Sequence, residues 1–198
     1  MSNRDRLFDI ADRQQGYFTR EQAIACGYRD PNFAYYVSSG EWTKEYRGIY
    51  RLTRYPMTQS PDLVTWSLWS RGRSESTQGV ISHDTALTIY GLSDINPAKI
   101  HMTVPTKFRR RSPIPEILVL HRADLSQKDY HEQQGYWMTT PLRTLLDIAA
   151  EGRLAEDLIT QAVREAISQG MVLRTALENI DSTEAKRLMR LLDGPKIR

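Results

Sequence analysis

The stretch RDRLFDIADRQQGYFTREQAIACGYRDPNFAYYVSSGEWTKEYRGIYRL, residues 4–52, decides the fold of the N-terminal part of the chain. Apolar residues three and four positions apart predict a first amphipathic helix over residues 4–15, and Gly16 ends it. Thr19, with Gln22 three residues later, has the capping-box pattern that begins a second helix. The first half of the stretch therefore predicts two short helices in succession.

The second half of the stretch changes period. Asp30-Pro31 predicts the start of a third helix, because Asp is a good N-cap and Pro is tolerated in the first turn. Residues 42–46 and 48–52 predict two strands of a hairpin. Three short helices, a glycine-containing turn at 26–29 and a hairpin follow the order of a winged helix-turn-helix. We predict that fold for residues 1–55.

Residues 56–198 mix both periods and predict an α+β domain with a helical C-terminal tail. Pro56 and Pro61 indicate a linker after the boundary near residue 55, and Leu63, Trp66 and Trp69 are spaced for a helix. The apolar run Ile117–Leu120 is typical of a strand buried on both faces. Other strands are predicted at 80–81, 99–104 and 136–139, and helices at 83–90, 140–149, 154–168, 173–180 and 182–193.

The composition excludes several classes of protein. With 40% hydrophobic and 26% charged residues and a net charge of +3, the 198 residues are those of a globular chain rather than a disordered one. No apolar run approaches the roughly 18–20 residues that span a membrane, and the N-terminus lacks the apolar core of a signal peptide. The single cysteine, Cys26, excludes an internal disulfide. We expect a cytoplasmic protein with no membrane partner.

The third helix carries the candidate DNA-reading side chains. In a helix-turn-helix this helix enters the major groove, and its outward residues touch base edges. Basic residues of the hairpin then bind phosphates, which position the protein without reading sequence. The alternative is a polar, solvated face, because winged helices also serve as protein-contact modules. The expected DNA-binding residues are Arg29, Asn32, Tyr35, Ser38, Ser39, Lys44, Arg47 and Arg51.

A second basic feature is the proline-bounded segment PTKFRRRSPIP, residues 105–115, between two predicted strands. Such a loop can bind phosphates or an acidic partner, and it can also be simply solvated. The sequence leaves these interpretations open. Its four basic residues are Lys107, Arg109, Arg110 and Arg111.

Nothing in the sequence indicates catalysis, a metal or a cofactor. The histidines have no metal-ligand spacing, so structural roles are expected for His83, His101, His121 and His131. Cys26 is expected to be a buried structural thiol. Phosphate-binding, dinucleotide-binding and nucleophile-elbow motifs are all absent. We therefore expect a protein that is not an enzyme.

Several segments, in order, resemble the AbiEi-type antitoxins of type IV toxin–antitoxin systems. The first two are TREQAIACG at 19–27 and GEWTKEYRGIYRL at 40–52, which are similar to that family's N-terminal winged helix. The similarity runs from about residue 4 to residue 180. The further segments are SHDTAL at 82–87, GL at 91–92, IHMTVP at 100–105 and TPLRTLLD at 140–147.

The resemblance implies a transcriptional repressor of its own two-gene operon that binds upstream DNA repeats through the winged helix and can self-associate there. It also implies that the domain at 56–198 counteracts a nucleotidyltransferase-like toxin, directly or indirectly. Longer proteins with similar N-terminal halves end in a nuclease-like domain, which this sequence lacks, so the antitoxin interpretation is favoured. One departure is the third helix, NFAYYVSS at 32–39, where relatives often carry several arginines. The operator sequence therefore does not transfer from the family.

The rival hypothesis is a protein-interaction module whose winged helix does not touch DNA. It predicts that toxin neutralisation survives deletion of residues 1–55 and that no salt-sensitive DNA binding is found.

Overall fold

A computed structural model describes residues 1–57, 60–72 and 76–194 and has a mixed α+β fold. It forms two compact units, the first unit at Met1–Gly79 with Glu132–Trp137, and the second unit at Val80–His131 with Met138–Arg198. The helices are α1 (Asn3–Asp12), α2 (Arg20–Ala25), α3 (Phe33–Ser38), α4 (Pro61–Trp69), α5 (His83–Ile89), α6 (Pro141–Glu151), α7 (Glu156–Ser168), α8 (Arg174–Glu178) and α9 (Thr183–Asp193). The strands are β1 (Tyr17–Thr19), β2 (Trp42–Tyr46), β3 (Ile49–Leu52), β4 (Val80–Ile81), β5 (Ile100–Val104), β6 (Leu118–Arg122), β7 (Tyr130–Gln133) and β8 (Tyr136–Thr139).

The helices of the first unit begin at side-chain caps. Ser2 and Asp5 form a reciprocal capping box at α1, and Thr19 and Gln22 form the predicted one at α2. Each box supplies partners for backbone N–H groups that would otherwise be unpaired at the helix start. The α1 helix ends at Asp12, earlier than predicted, because Gln15 and Gly16 take positive φ angles of 56° and 89°.

The first unit contains an antiparallel sheet in the order β1-β3-β2. The predicted hairpin pairs Trp42 with Leu52 and Lys44 with Tyr50, with a bulge before Tyr46. The segment around Phe18, between the first two predicted helices, is strand β1 and pairs with β3. That pairing joins residues about 30 positions apart along the chain, so local sequence patterns do not reveal it.

Both faces of this sheet are covered. On one face, Phe18, Phe33, Trp42 and Tyr50 pack with Leu7 of α1 in one apolar cluster. Trp42 lies at its centre, with ring centroids 4.9 Å from Phe18 and 5.2 Å from Phe33. Helix α4 packs against β1 and β3 in the same unit. The first unit is thus a helix–sheet–helix arrangement.

A second sheet has the strand order β6-β5-β4-β8-β7, with β5 and β6 parallel and β4 antiparallel to β5. Strands β4, β5 and β6 lie entirely in the second unit, whereas residues 132–137 of β7 and β8 are counted with the first. The expectation that Ile117–Leu120 is buried on both faces is wrong, because β6 lies at the sheet edge and most of its residues are half-buried or exposed. Strand β7 was not predicted at all, since YHEQ lacks an apolar alternation.

The helices of the second unit enclose its core. Leu145 and Ile148 of α6, Ile159 and Val163 of α7, and Leu188 of α9 belong to one buried cluster. Thr140 caps α6 by accepting from the backbone N–H of Arg143, and Gly152 ends it in the left-handed conformation at φ 63°. The predicted α+β character and the predicted helical tail are both present.

The domain boundary expected near residue 55 stays a prediction. The first compact unit continues beyond residue 55 through α4 to Gly79, and it includes residues 132–137.

Candidate nucleic-acid interface

The turn between α2 and α3 brings the third helix into position. Gly27 has a φ of 96°, and a Cβ there would lie 2.9 Å from Nδ2 of Asn3. That amide donates a hydrogen bond to the Gly27 carbonyl oxygen over 3.2 Å, which ties the turn to α1. The backbone angle favours glycine here, and a Cβ would also displace the Asn3 amide from this contact. Cys26 beside it is buried, which agrees with the expected structural role, and burial raises the pKa of its thiol.

The start of α3 is a short 3₁₀ turn, Asp30–Asn32, that continues into the α-helix at Phe33. Arg29 precedes it as an exposed N-cap residue. Neither Arg29 nor Asn32 makes a side-chain cap hydrogen bond. The side chains that could meet a ligand here are therefore not engaged in capping.

Helix α3 has one buried and one exposed face. Phe33 is buried, and Tyr36 stacks on Trp42 with ring centroids 4.6 Å apart. Tyr35 is 65% exposed on the other face. The hydroxyls of Ser38 and Ser39 donate to backbone carbonyls three residues earlier, so they are turned back onto the helix. The exposed residues of this face are Asn32, Tyr35, Ser38 and Ser39, as expected.

The hairpin presents two basic side chains to solvent. Lys44 lies exposed on β2, opposite Tyr50 of β3. Arg47 is exposed in the turn before β3, where Gly48 takes a φ of 74°. Because α3 packs against β2, the exposed face of α3 and this hairpin are neighbouring parts of the first unit.

Arg51 does not belong to that surface, although the sequence placed it among the phosphate-binding residues. It is only 9% exposed, and its Nε donates to Oε1 of Glu45 over 2.9 Å. Its Nη1 donates to the carbonyl oxygens of Leu52 and Tyr55. The physical reason is α4, which packs against β3 and whose Trp66 contacts Tyr46 at 5.1 Å between ring centroids. Alternation along β3 therefore turns Arg51 toward a covered face.

The basic loop lies in the second unit, between β5 and β6. Lys107, Arg109, Arg110 and Arg111 are exposed, whereas Phe108 among them is buried. Arg122 of β6 donates to the Phe108 carbonyl oxygen over 2.9 Å, and Asp124 accepts from both the backbone and the hydroxyl of Thr106. The base of the loop is thus anchored by hydrogen bonds, and its charged side chains are exposed.

Sequence reasoning missed a histidine cluster in the second unit. The ring of His83 stacks on that of His121 at 3.5 Å, and Nδ1 of His101 is hydrogen-bonded to Nε2 of His121 over 3.1 Å. Asp84 accepts from Arg153 over 2.6 Å through Oδ2. The three histidines lie on three different elements, and His83 and His121 are 38 residues apart in sequence, so spacing gives no signal.

Burial keeps the cluster uncharged. It lowers the pKa of His83 to about 3 and also lowers the pKa values of His101 and His121. His83 has a positive φ of 51°, uncommon for a residue with a side chain. Within residues 1–57, 60–72 and 76–194, no group of three or more His, Cys, Asp or Glu side chains has an arrangement that could hold a metal ion.

Comparison with known proteins finds a family model that the first part of the chain matches. Residues 5–53 match the family model described as "Transcriptional regulator, AbiEi antitoxin". The match covers α1 to β3, which carry every candidate DNA-binding side chain named above. No curated protein matches the sequence.

The fold is similar to that of a solved structure, the RV2827C protein from Mycobacterium tuberculosis. The TM-score is 0.56 at 16% sequence identity, and the likeness covers 96% of this chain and 76% of the other. At this identity the likeness concerns the fold alone. In the described part of the chain, every helix is too short or too polar to cross a lipid bilayer.

Proposed function

We propose that the protein is a DNA-binding transcriptional autorepressor and an antitoxin. The observation that carries the proposal is the position of the free polar face of α3 and the exposed Lys44 and Arg47. All of them lie within the segment that matches the antitoxin regulator model. In this proposal, α1 to α3 and the β2–β3 hairpin act as a winged helix-turn-helix on double-stranded operator DNA.

The proposed readout divides the side chains by chemistry. Asn32 pairs with an adenine edge through its amide, and Tyr35 and Ser39 meet neighbouring bases in the major groove. Arg29, Lys44 and Arg47 bind phosphates and set the position of α3 on the duplex. Arg51 is left out of the interface because its guanidinium is held by Glu45.

This division has a measurable electrostatic consequence. Three phosphate-binding cations per protomer give a slope of log affinity against log salt of roughly −3, by the usual release of about 0.9 counterion per phosphate. Affinity would then depend less on charge than for a recognition helix that carries several arginines. Self-association on the DNA would add the contacts of a second protomer.

We further propose that the second unit counteracts a nucleotidyltransferase-like toxin in the cytoplasm. The exposed cations of the basic loop, together with its anchored base, support a contact to an acidic partner there. Nothing in this proposal requires catalysis or a cofactor by this chain.

A second function has one observation in its favour. The exposed face of α3 carries no charged side chain, and two of its hydroxyls are already engaged with the helix backbone. Such a face also suits contact with another protein, so a protein-interaction module is the alternative.

Fluorescence anisotropy separates the two functions. The purified full chain is titrated onto its own upstream DNA and onto a scrambled duplex of equal composition, across a salt series. Preference for the upstream DNA by a factor of about a thousand or more, with the salt slope above, supports the regulator. Weak and equal binding to both duplexes rejects it and favours the interaction module.

A further inference from the structure

Arg20 connects three elements of the first unit. It is the first residue of α2, and its backbone N–H donates to the Gly48 carbonyl oxygen in the hairpin turn over 2.8 Å. Its side chain reaches the other way, to the residue that opens the 3₁₀ turn before α3. There Nε and Nη2 donate to Oδ1 and Oδ2 of Asp30, each over 2.7 Å. One residue thus joins the hairpin turn to the start of the third helix.

We infer that Arg20 is a positioning residue that sets α3 relative to the hairpin and thereby determines sequence specificity. The inference rests on the proposed DNA binding. In the proposed complex, Asn32 contacts a base at the same time as Arg47 binds a phosphate. The distance between α3 and the hairpin therefore determines which DNA sequence can make both contacts. The paired hydrogen bonds between two planar groups fix both distance and orientation, which a single contact does not.

The Arg20 contact orients the start of α3, where the residues at the two cap positions supply no side-chain cap. The side chains of Arg29 and Asn32 make no cap hydrogen bond. The Arg20 hydrogen bond also holds the pKa of Asp30 below its ordinary value.

The pair adds little to folding stability. The two side chains are 41% and 48% exposed, and ion pairs so open to solvent hold a fold together only weakly. Variants at either position should therefore fold, and their effect should appear in DNA recognition rather than in the unfolding temperature.

A competing role for Arg20 is a direct phosphate contact. The two roles predict different effects of changing Asp30 on DNA binding. If Arg20 acts through Asp30, Asp30→Asn lowers preference for the upstream DNA, just as Arg20→Gln does. If Arg20 binds phosphate, Asp30→Asn releases it and strengthens binding to every duplex, and Arg20→Gln reduces the salt slope by about one unit.

The experiment measures anisotropy on upstream and scrambled DNA for the full chain with Arg20→Gln, with Asp30→Asn and with both changes. Arg13→Gln and Asp9→Asn, exposed residues at the end of α1 and within it, are the matched controls for the change in net charge. Relative to these controls, each single variant should lose preference for the upstream DNA by about tenfold, and the double variant should lose no more than either single one. The salt slope and the unfolding temperature should match the controls.

Three results would overturn the inference. Full preference in both single variants means that the pair does not position α3. A double variant whose loss is the product of the two single losses means that the residues act separately. Wild-type protein with no preference for upstream DNA removes the proposed function itself, whereas the first two results leave that function standing.

The swapped pair, Arg20→Asp with Asp30→Arg, should recover part of the preference, since it restores the contact with the charges exchanged.

Discussion

The guanidinium of Arg51 is bonded to the carboxylate of Glu45, with Nε donating to Oε1 over 2.9 Å on the sheet face that α4 covers. Both residues belong to the β2–β3 hairpin, and the contact keeps the Arg51 side chain, which is 11% exposed, turned toward the sheet. The hairpin therefore contains one arginine that holds the sheet together, Arg51, and one at the turn, Arg47, that is exposed.

Changing Arg51 should affect folding and leave DNA contacts intact. We expect Arg51→Ala to lower the free energy of unfolding by about 1–3 kcal/mol, because Glu45 and two carbonyl oxygens lose their donor in a partly buried site. Urea unfolding measures the loss, and Arg13→Ala is the control for removal of an exposed arginine. An unchanged unfolding midpoint together with a lower salt slope for DNA would show that Arg51 faces phosphate after all.

Changing Arg47 should weaken DNA binding and leave folding intact. Its side chain is exposed in the hairpin turn, so Arg47→Ala should leave the unfolding midpoint within error. Affinity for upstream and scrambled DNA should fall by the same factor, and the salt slope should become about 0.9 unit less steep. A loss confined to the upstream DNA would contradict a phosphate contact.

Asn32 should carry sequence information. We expect Asn32→Ala to cost about 1–3 kcal/mol of binding to the upstream DNA, concentrated at a single base pair, with scrambled DNA unaffected. Testing the variant against operators with each base pair changed in turn locates that position. Equal losses on upstream and scrambled DNA would reject the assigned role.

The histidine cluster makes the second unit sensitive to acid. The pKa of His83 is about 3 in the folded state against 6.5 ordinarily, so the unfolded chain binds more protons between those values. Stability from this residue is therefore complete above pH 6.5 and falls as the pH drops toward 3. When the pH falls from 7 to 5, His83 alone should lower the free energy of unfolding by about 2 kcal/mol.

Asp147 acts in the other direction, since burial raises its pKa to about 6 from 3.8 and the folded state binds its proton more tightly. Its cost to stability is absent below pH 3.8 and complete above pH 6. The net loss of stability in acid in the wild type is consequently smaller than that from His83 alone.

The clean test is the variant His83→Asn, because asparagine tolerates the positive φ at this position. It is compared with wild type by urea unfolding at both pH values. An equal pH dependence of the two proteins would mean that His83 is not buried in the uncharged form.

Local chemistry predicted much of the first unit. The capping box of Thr19 and Gln22 and the glycine of the α2–α3 turn are each decided by neighbouring residues, and the structure contains both. The exposed positions of α3 follow from helical spacing for the same reason. The predicted N-cap at Asp30 is wrong, because Asp30 is the first residue of a 3₁₀ turn whose N-cap is Arg29 and its carboxylate is bonded to Arg20. What local patterns could not supply was the pairing of β1 with β3 and the packing of α4, both of which depend on residues distant in sequence.

Those distant contacts explain why Arg51 is buried and why the histidine cluster was missed. The sequence pattern predicts a strand at 48–52 but does not show that α4 covers the face on which Arg51 lies. His83, His101 and His121 meet because β5 and β6 lie side by side and α5 starts beside them, a juxtaposition set by sheet order. Each histidine by itself has no distinguishing sequence context.

The covered face of the β1-β3-β2 sheet also limits how this protein can be divided. A fragment ending at residue 55 would contain all the proposed DNA-contacting side chains but would leave Tyr17, Ile49 and Arg51 uncovered on the face that α4 occupies. Exposed sheet surfaces of this kind promote association between chains. The smallest fragment that can be moved to another protein is therefore longer than the segment that carries the proposed DNA contacts. Gene fusions or domain exchanges that join at residue 55 should give poorly soluble proteins.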